Sequence, residues 1–140
     1  MRFVLDTNII VTAMRSPKGA SAALLMAARQ SKIVPLANVA LALEYEATCR
    51  LAEHRLAAGL TLDEVDIFID AVLAMCEPVE SHFMWRPQLR DPADEFVLEA
   101  AANGQAAAIV TFNLRDFGTA PSRFGIKLLS PLEALRKIKP

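Results

Sequence analysis

At 140 residues the chain is long enough to bury a real core, and its length predicts one domain spanning 1–140. Apolar residues make up 54% and charged residues 22%, the balance of a compact globular protein. A net charge of −1 supplies no global basic field, which argues against a high-affinity reader of nucleic-acid sequence. It leaves room for an enzyme that meets nucleic acid through a local patch and a metal.

The chain opens on Phe3-Val4-Leu5-Asp6-Thr7-Asn8, three apolar residues running into an acid, followed by Ile9, Ile10 and Val11. The pattern predicts a short buried strand that ends in a carboxylate, with a helix starting at once. An acid at the carboxyl end of a parallel strand stands where open α/β sheets bind ligands, although Asp6 would also serve as a helix cap. Ser16-Pro17-Lys18-Gly19 predicts a turn, and Ala20 to Gln30 a second helix with Ala23, Leu24, Ala27 and Ala28 on one face. Ile33 to Leu36 is expected to form a second strand, and Pro35, which lacks a ladder donor, points to a strand start or an edge.

Val39 to about Leu51 has helical character. Glu44 shares a face with Ala40, Ala47 and Leu51, whereas Glu46 shares one with Ala42 and Arg50 and suits a surface ion pair. A carboxylate on the apolar face is costly unless paired or metal-bound, so Glu44 is the functional candidate. Thr61-Leu62-Asp63-Glu64 is a capping box opening a helix to about Met75, with Leu62, Val65, Ile69, Val72 and Leu73 as its buried stripe. Its acids Asp63, Glu64, Asp66 and Asp70 suit a solvated face. Pro78 to Glu80 suggests a minor strand, and His82 to Arg90 a loop.

Asp91 and Pro92 fit the N-cap and first position of a further helix, with Asp94 at the third and Asn103-Gly104 as its stop. Ala107 to Thr111 has the continuous apolar pattern of a central parallel strand, and Asn113 to Phe117 follows its carboxyl end. Ile126 to Leu129 is expected as a last strand before Ser130-Pro131-Leu132-Glu133, another capping box, and a terminal helix. Strands alternating with helices predict an α/β fold, a three-layer α/β/α sandwich on a mainly parallel, about five-stranded sheet. Cys49 and Cys76, with His54 and His82, make no zinc spacing and no disulfide scaffold. The early acid and the lack of a long apolar run argue for a soluble, cytoplasmic protein without membrane contact.

Asp6, Glu44, Asp94 and Asp116 therefore occupy comparable places, and each has a plain alternative as a cap, a turn residue or a pairing partner. Capping does not account for an acid on the face of Glu44. If the four converge, their repulsion calls for a divalent cation, and carboxylate with water ligands suits Mg²⁺ or Mn²⁺ better than zinc. Such a metal would activate water and neutralise charge on a phosphodiester. Thr7, Asn8, Thr111 and Asn113 are the right types to orient ligands or waters from behind.

Val4-Leu5-Asp6-Thr7-Asn8, Leu43-Glu44-Tyr45, Arg90-Asp91-Pro92-Ala93-Asp94-Glu95 and Val110-Thr111-Phe112-Asn113-Leu114-Arg115-Asp116-Phe117 resemble successive signatures of PIN domains. The set is similar to bacterial PIN proteins classed as toxins of toxin–antitoxin pairs (VapC-like), over essentially the whole chain and in the same order. The resemblance implies a metal-dependent ribonuclease acting on single-stranded RNA, with the family's acids at Asp6, Glu44, Asp94 and Asp116 and its polar strand-end position at Thr111. Asp91 is an additional acid whose N-cap role would suffice for it. The resemblance also implies a cognate antitoxin, whose tail occupies the active-site groove, and a homodimer. Arg15, Arg86, Arg90 and Arg115 are candidates for RNA contact, each with a surface-charge alternative. With seven Phe, one Tyr and one Trp, none interleaved with a basic run, no stacking platform for bases is visible. One departure is Ala37-Asn38 after the second strand, where relatives often carry serine, which bears on a helix cap.

Two other readings remain. One is a PIN-like module that binds RNA or protein without cleaving. The other is a phosphotransfer, phosphatase or receiver domain, which position 8 (Asn8) and the location of Lys127 inside a strand argue against.

Overall fold

The computed structural model describes residues 1–80, 89 and 91–138. The loop expected over His82 to Arg90, with Trp85, Arg86 and Arg90, lies outside the described residues except for Leu89. The chain runs β1 (Arg2–Leu5), α1 (Thr7–Arg15), α2 (Ala20–Arg29), β2 (Val34–Ala37), α3 (Val39–Cys49), α4 (Ala52–Ala58) and α5 (Leu62–Met75). It continues through β3 (Glu77–Pro78), α6 (Pro92–Asn103), β4 (Ala108–Val110), α7 (Leu114–Phe117), a 3₁₀ turn (Pro121–Phe124), β5 (Lys127–Leu129) and α8 (Pro131–Ile138).

The five strands form one sheet in the order β3-β2-β1-β4-β5, and all four pairings are parallel. The chain starts at the sheet's centre, adds β2 and β3 on one side, then crosses β1 to add β4 and β5 on the other. The switch point of the winding is therefore the β1–β4 boundary, where such sheets open a crevice beyond their strand ends. The rule that such crossovers are right-handed assigns the helices of the first half to one face and α6, which packs on β1, β2 and β4, to the other. This is the expected three-layer α/β sandwich, with the minority antiparallel pairing absent among the described residues.

The core is built from strand residues buried on both faces (Val4, Leu5, Ile109 and Val110) and from the apolar side of α1, chiefly Ile9 and Ile10. Pro35 sits second in β2, an inner strand rather than an edge. Val34 donates to Met1 on the β1 side, so the position of Pro35 turns its missing donor toward β3, whose pairing begins only at Leu36. Asn38 caps α3 by accepting from Leu41 N at 2.9 Å, and its Nδ2 donates to Phe96 O at 3.0 Å. It thus performs the capping that serine would provide and also ties α3 to α6. Both expected capping boxes form, Thr61–Glu64 and Ser130–Glu133.

Some sequence expectations differ from the structure. Helix α4 and the 3₁₀ turn were not expected, and α4 has no side-chain cap to announce it. The buried stripe of α3 is Leu41, Tyr45 and Cys49, while Ala47 and Leu51 are exposed. Arg50 pairs with Asp66 on α5 instead of Glu46, because the packing of α3 on α5 brings a tertiary partner within reach. No helix among the described residues is long and apolar enough to cross a membrane.

Gly104, after α6, shows how closely that helix end meets the sheet. A Cβ there would lie 2.9 Å from Leu36 Cδ1, 2.9 Å from Val79 Cγ2 and 2.8 Å from Ala100 O, and the glycine carbonyl also accepts from Arg2. Gly104→Ala is expected to lower the unfolding free energy by about 1–3 kcal/mol through overpacking. Urea denaturation is the check, and an unchanged midpoint would contradict the close fit.

Candidate active site

Asp6 stands at the switch point because β1 stops there and α1 begins. Its backbone N–H donates to Val110 O at 2.9 Å, extending the β1–β4 ladder, and the residue is the N-cap of α1. Its two oxygens are held separately. Oδ1 accepts from Thr7 N at 2.8 Å, and Oδ2 accepts from Thr111 Oγ1, just beyond β4, at 2.7 Å. The Thr111 hydroxyl in turn accepts from Asn113 N at 3.0 Å and from Asn8 Nδ2 at 3.4 Å. Residues 6, 8, 111 and 113 thus form one network across the crevice.

Glu44 reaches the same place from α3. Its neighbour Tyr45 is fully buried and donates its hydroxyl to Leu5 O, which pins α3 to the end of β1. Glu44 therefore flanks the buried stripe instead of lying on it, and its half-buried carboxyl turns into the cleft. Asp94 arrives from the first turn of α6. Asp91 caps that helix by accepting from Ala93 N at 2.9 Å, with Pro92 at the first position. Glu95, buried beside it, accepts from Leu89 N at 2.6 Å.

Asp6, Glu44, Asp91 and Asp94 line a cleft of about 690 Å³, together with Thr7, Asn8, Asn113 and Arg15. Thr111 stands behind Asp6. A second cavity of about 490 Å³ shares Asp91 and Asp94 with the first and is lined further by Asp116, Arg115 and Arg123. Asp116, on α7, is exposed and belongs to this adjoining space. Asp6, Glu44, Asp91 and Asp94 thus share one cleft, and Asp116 lines the cavity that adjoins it at Asp91 and Asp94. Arg86 and Arg90 lie outside the described residues. His54, Thr48, Thr12 and Ser16 also line the first cleft and were missed in the sequence. Only Thr48, one turn beyond Glu44, carried a signal.

The electrostatics are those of crowded acids. Burial is the main cause that raises the Asp6 carboxyl above its ordinary range. The hydrogen bonds from Thr111 and Thr7 oppose it, and the charges of Asp116 and Asp91 add to it. Burial also raises Glu44, Asp6 and Asp91 push the same way, and the Thr7 hydroxyl beside it opposes the shift without completing a hydrogen bond. Asp94 is pushed up to about 7, first by burial and then by Asp6, Asp91, Asp116 and Glu44. Three buried oxygens at the cleft, Thr7 Oγ1, Asn8 Oδ1 and Glu44 Oε2, have no hydrogen-bond partner within the protein. Buried polar atoms without partners are costly, and an oxygen-lined anionic site fits a hydrated hard cation. Among the described residues no three acids, imidazoles or thiols stand as a ready-made chelate, so water would supply much of any coordination shell.

A parallel α/β sheet that collects carboxylates at its switch point is the class of protein these features define. A model of the PIN domain matches residues 2–115, and the chain belongs to that family. No curated protein matches it in sequence. In structure it is similar to a chain of VapBC2 from Rickettsia felis, crystallised bound to a DNA fragment from the promoter. The two share 15% identity, with 93% of this chain and 98% of that chain covered and a TM-score of 0.63, a likeness of fold.

The Asp94 shift has a consequence for stability without metal. The unfolded carboxyl titrates near 3.8 and the folded one near 7, so between those values the folded chain holds a proton that the unfolded chain releases. Stability then falls as pH rises through that window. Asp94→Asn is expected to remove this loss. In chelator it should be more stable than the parent by about 1–3 kcal/mol at pH 8 and nearly equal to it at pH 4.5. Denaturation at both pH values checks this, and an equal difference at the two would contradict it.

Proposed function

We propose that this protein is a metal-dependent ribonuclease hydrolysing phosphodiester bonds of single-stranded RNA, and that it acts as the toxin of a toxin–antitoxin pair. The observation that carries the reading is the cleft shared by Asp6, Glu44, Asp91 and Asp94 at the switch point of a PIN-domain sheet, with Asp116 in the cavity that adjoins it. Burial raises three of these acids and their mutual repulsion adds to the shift, a cost that a divalent cation relieves on binding. Oxygen-only donors favour Mg²⁺, with Mn²⁺ as a substitute.

In this mechanism Asp6 is the central carboxylate. Thr111 and Thr7 fix one oxygen each, leaving the remaining lone pairs for a ligand. Glu44 and Asp94 face it from α3 and α6, and Asp116 completes the set from the adjoining cavity. A bound divalent cation supplies positive charge beside the phosphodiester and makes water there easier to deprotonate. Asn8 and Asn113 hold the Thr111 hydroxyl, and the free Oδ1 of Asn8 is available to orient a water. Hydrolysis adds the oxygen of that water to phosphorus, breaks one P–O bond of the backbone, and leaves a proton on the departing oxygen. Arg15 and Arg115 offer cationic contact for the strand on either side of the acids.

A protein partner belongs to the same reading. The chain's fold is that of a VapBC2 component, and an antitoxin would block the acid cleft. For the homodimer that the resemblance implies, α2 and α5 offer apolar surface. Leu25 and Met26 on α2, with Ile67 and Phe68 on α5, line a cleft of about 880 Å³. A module that binds RNA without cleaving is the competing reading, favoured only by the lack of a ready-made chelate among the described residues.

Mg²⁺-dependent cleavage of single-stranded RNA is expected from the isolated protein, with Asp6→Asn reducing it at least about 100-fold and Thr111→Val about 10-fold. Mg²⁺ should raise the melting temperature of the parent more than that of Asp94→Asn, because the variant has already lost the repulsion that the ion relieves. RNA binding with no cleavage in Mg²⁺ or Mn²⁺ would favour the non-catalytic module.

A further inference from the structure

The acid cleft has a second end of opposite character. Thr7, Val11 and Arg15 lie four residues apart along α1, as do Asn8, Thr12 and Ser16, and all six line the cleft. Its floor is therefore one continuous face of that helix. From Thr7 to Arg15 the helix rises about 12 Å, which is longer than the screening length of about 8 Å in physiological salt. The opposite wall follows the same direction, with Glu44 and Thr48 one turn apart on α3 and then His54 on α4. Carboxylates crowd the strand end of the cleft. At the far end the described lining residues are Arg15, Ser16, Thr48 and His54, with no acid among them.

Arg15 Nη1 lies 3.0 Å from His54 Nδ1. A guanidinium can only donate, so Nδ1 is the acceptor and the imidazole carries its proton on Nε2. The pair bridges two helices across 39 residues of sequence and fixes the direction of the arginine. The other N–H groups of Arg15 and the Nε2–H of His54 remain as donors at the cleft, joined by the hydroxyls of Ser16 and Thr48. A cluster of donors around a guanidinium suits a phosphate, and Arg15 lies about two helical turns along α1 from Thr7, the neighbour of Asp6.

We propose that Arg15, oriented by His54, is a subsite for a backbone phosphate of single-stranded RNA next to the one at the acids. The proposal rests on the reading of the cleft as an RNA-binding site. Five carboxylates repel a polyanion, and Arg15 gives the strand a cationic anchor at the end of the cleft away from Asp6, so that binding here feeds the neighbouring phosphodiester toward Asp6. His54 is a positioning residue and acts through Arg15.

The test measures binding, so that cleavage does not enter it. In the Asp6→Asn background, single-stranded 2′-O-methyl oligonucleotides are made with one neutral methylphosphonate at successive positions, and affinity is read by fluorescence anisotropy. Arg15→Ala is expected to weaken the unmodified oligonucleotide about 5–20-fold. A methylphosphonate at one position should cost the Arg15 protein a similar factor and the Arg15→Ala protein nothing more, the non-additivity of a direct contact. His54→Ala should give part of that loss at the same position, and His54→Gln, whose carbonyl can accept from the guanidinium, should restore it.

Losses spread equally over every phosphate would overturn the subsite in favour of a diffuse field. Variants that melt earlier yet bind every oligonucleotide as the parent does would reduce the Arg15–His54 pair to a staple between α1 and α4, and binding of no oligonucleotide by any variant would also overturn it. Arg15-dependent binding in a protein that cleaves nothing would keep the subsite and remove the ribonuclease reading. Cleavage with Arg15-independent binding would do the reverse.

Discussion

A charged group held where two parallel strands end is the constraint on which the site depends. The β1–β4 boundary is the one place in a 3-2-1-4-5 sheet where neighbouring connections leave in opposite directions. Asp6 occupies it with its backbone still in the ladder and its side chain already capping the next helix. Burying a carboxylate there is unfavourable, and burial dominates the upward push on its protonation. Two hydrogen bonds, from the Thr111 hydroxyl and the Thr7 N–H, offset part of that cost while fixing the direction of the carboxyl plane. The position of each other acid is set relative to this one.

Each of those positions has its own mechanical cause. Tyr45 anchors α3 to the carbonyl preceding Asp6, so the adjacent Glu44 cannot drift from the cleft without unsatisfying a buried carbonyl. The Asp91 cap and Pro92 fix where α6 starts, and Asp94 follows in its first turn. Asn38 ties the start of α3 to the start of α6 through Phe96 O, which couples the two helices that carry Glu44 and Asp94. The chain thus invests its local bonding in keeping like charges together. Without a counter-ion that arrangement costs stability, as expected of a site organised for a ligand.

What was legible in the sequence was chemistry written in adjacent residues. Asp6 after an apolar run, Asp91-Pro92 at a helix start, and the two capping boxes each declare a backbone position locally, and the layered α/β class followed from alternation, whereas the strand order β3-β2-β1-β4-β5 did not. Glu44 was identified through a face that proved wrong. Helix α3 carries apolar residues nearly all round, with Val39 and Leu43 exposed and Leu41 and Tyr45 buried, so periodicity could not choose its inner side. The hydroxyl of Tyr45 makes that choice, and it does so through a contact 40 residues away. Arg50 found Asp66 and Arg15 found His54 for the same reason: long side chains take partners that tertiary packing brings near. Helix α4, short and without a capping side chain, left no mark by which His54 could be linked to the cleft.

The central claim is that these acids share a divalent cation. The most direct measurement is the anomalous scattering of Mn²⁺ soaked into crystals of the isolated chain. A single strong site, in contact with Asp6 and bounded by Glu44, Asp94 and Asp116, is the result the account requires. Mn²⁺ bound only elsewhere, or a cleft that stays free of metal at saturating Mn²⁺ with the acids ionised, would contradict it.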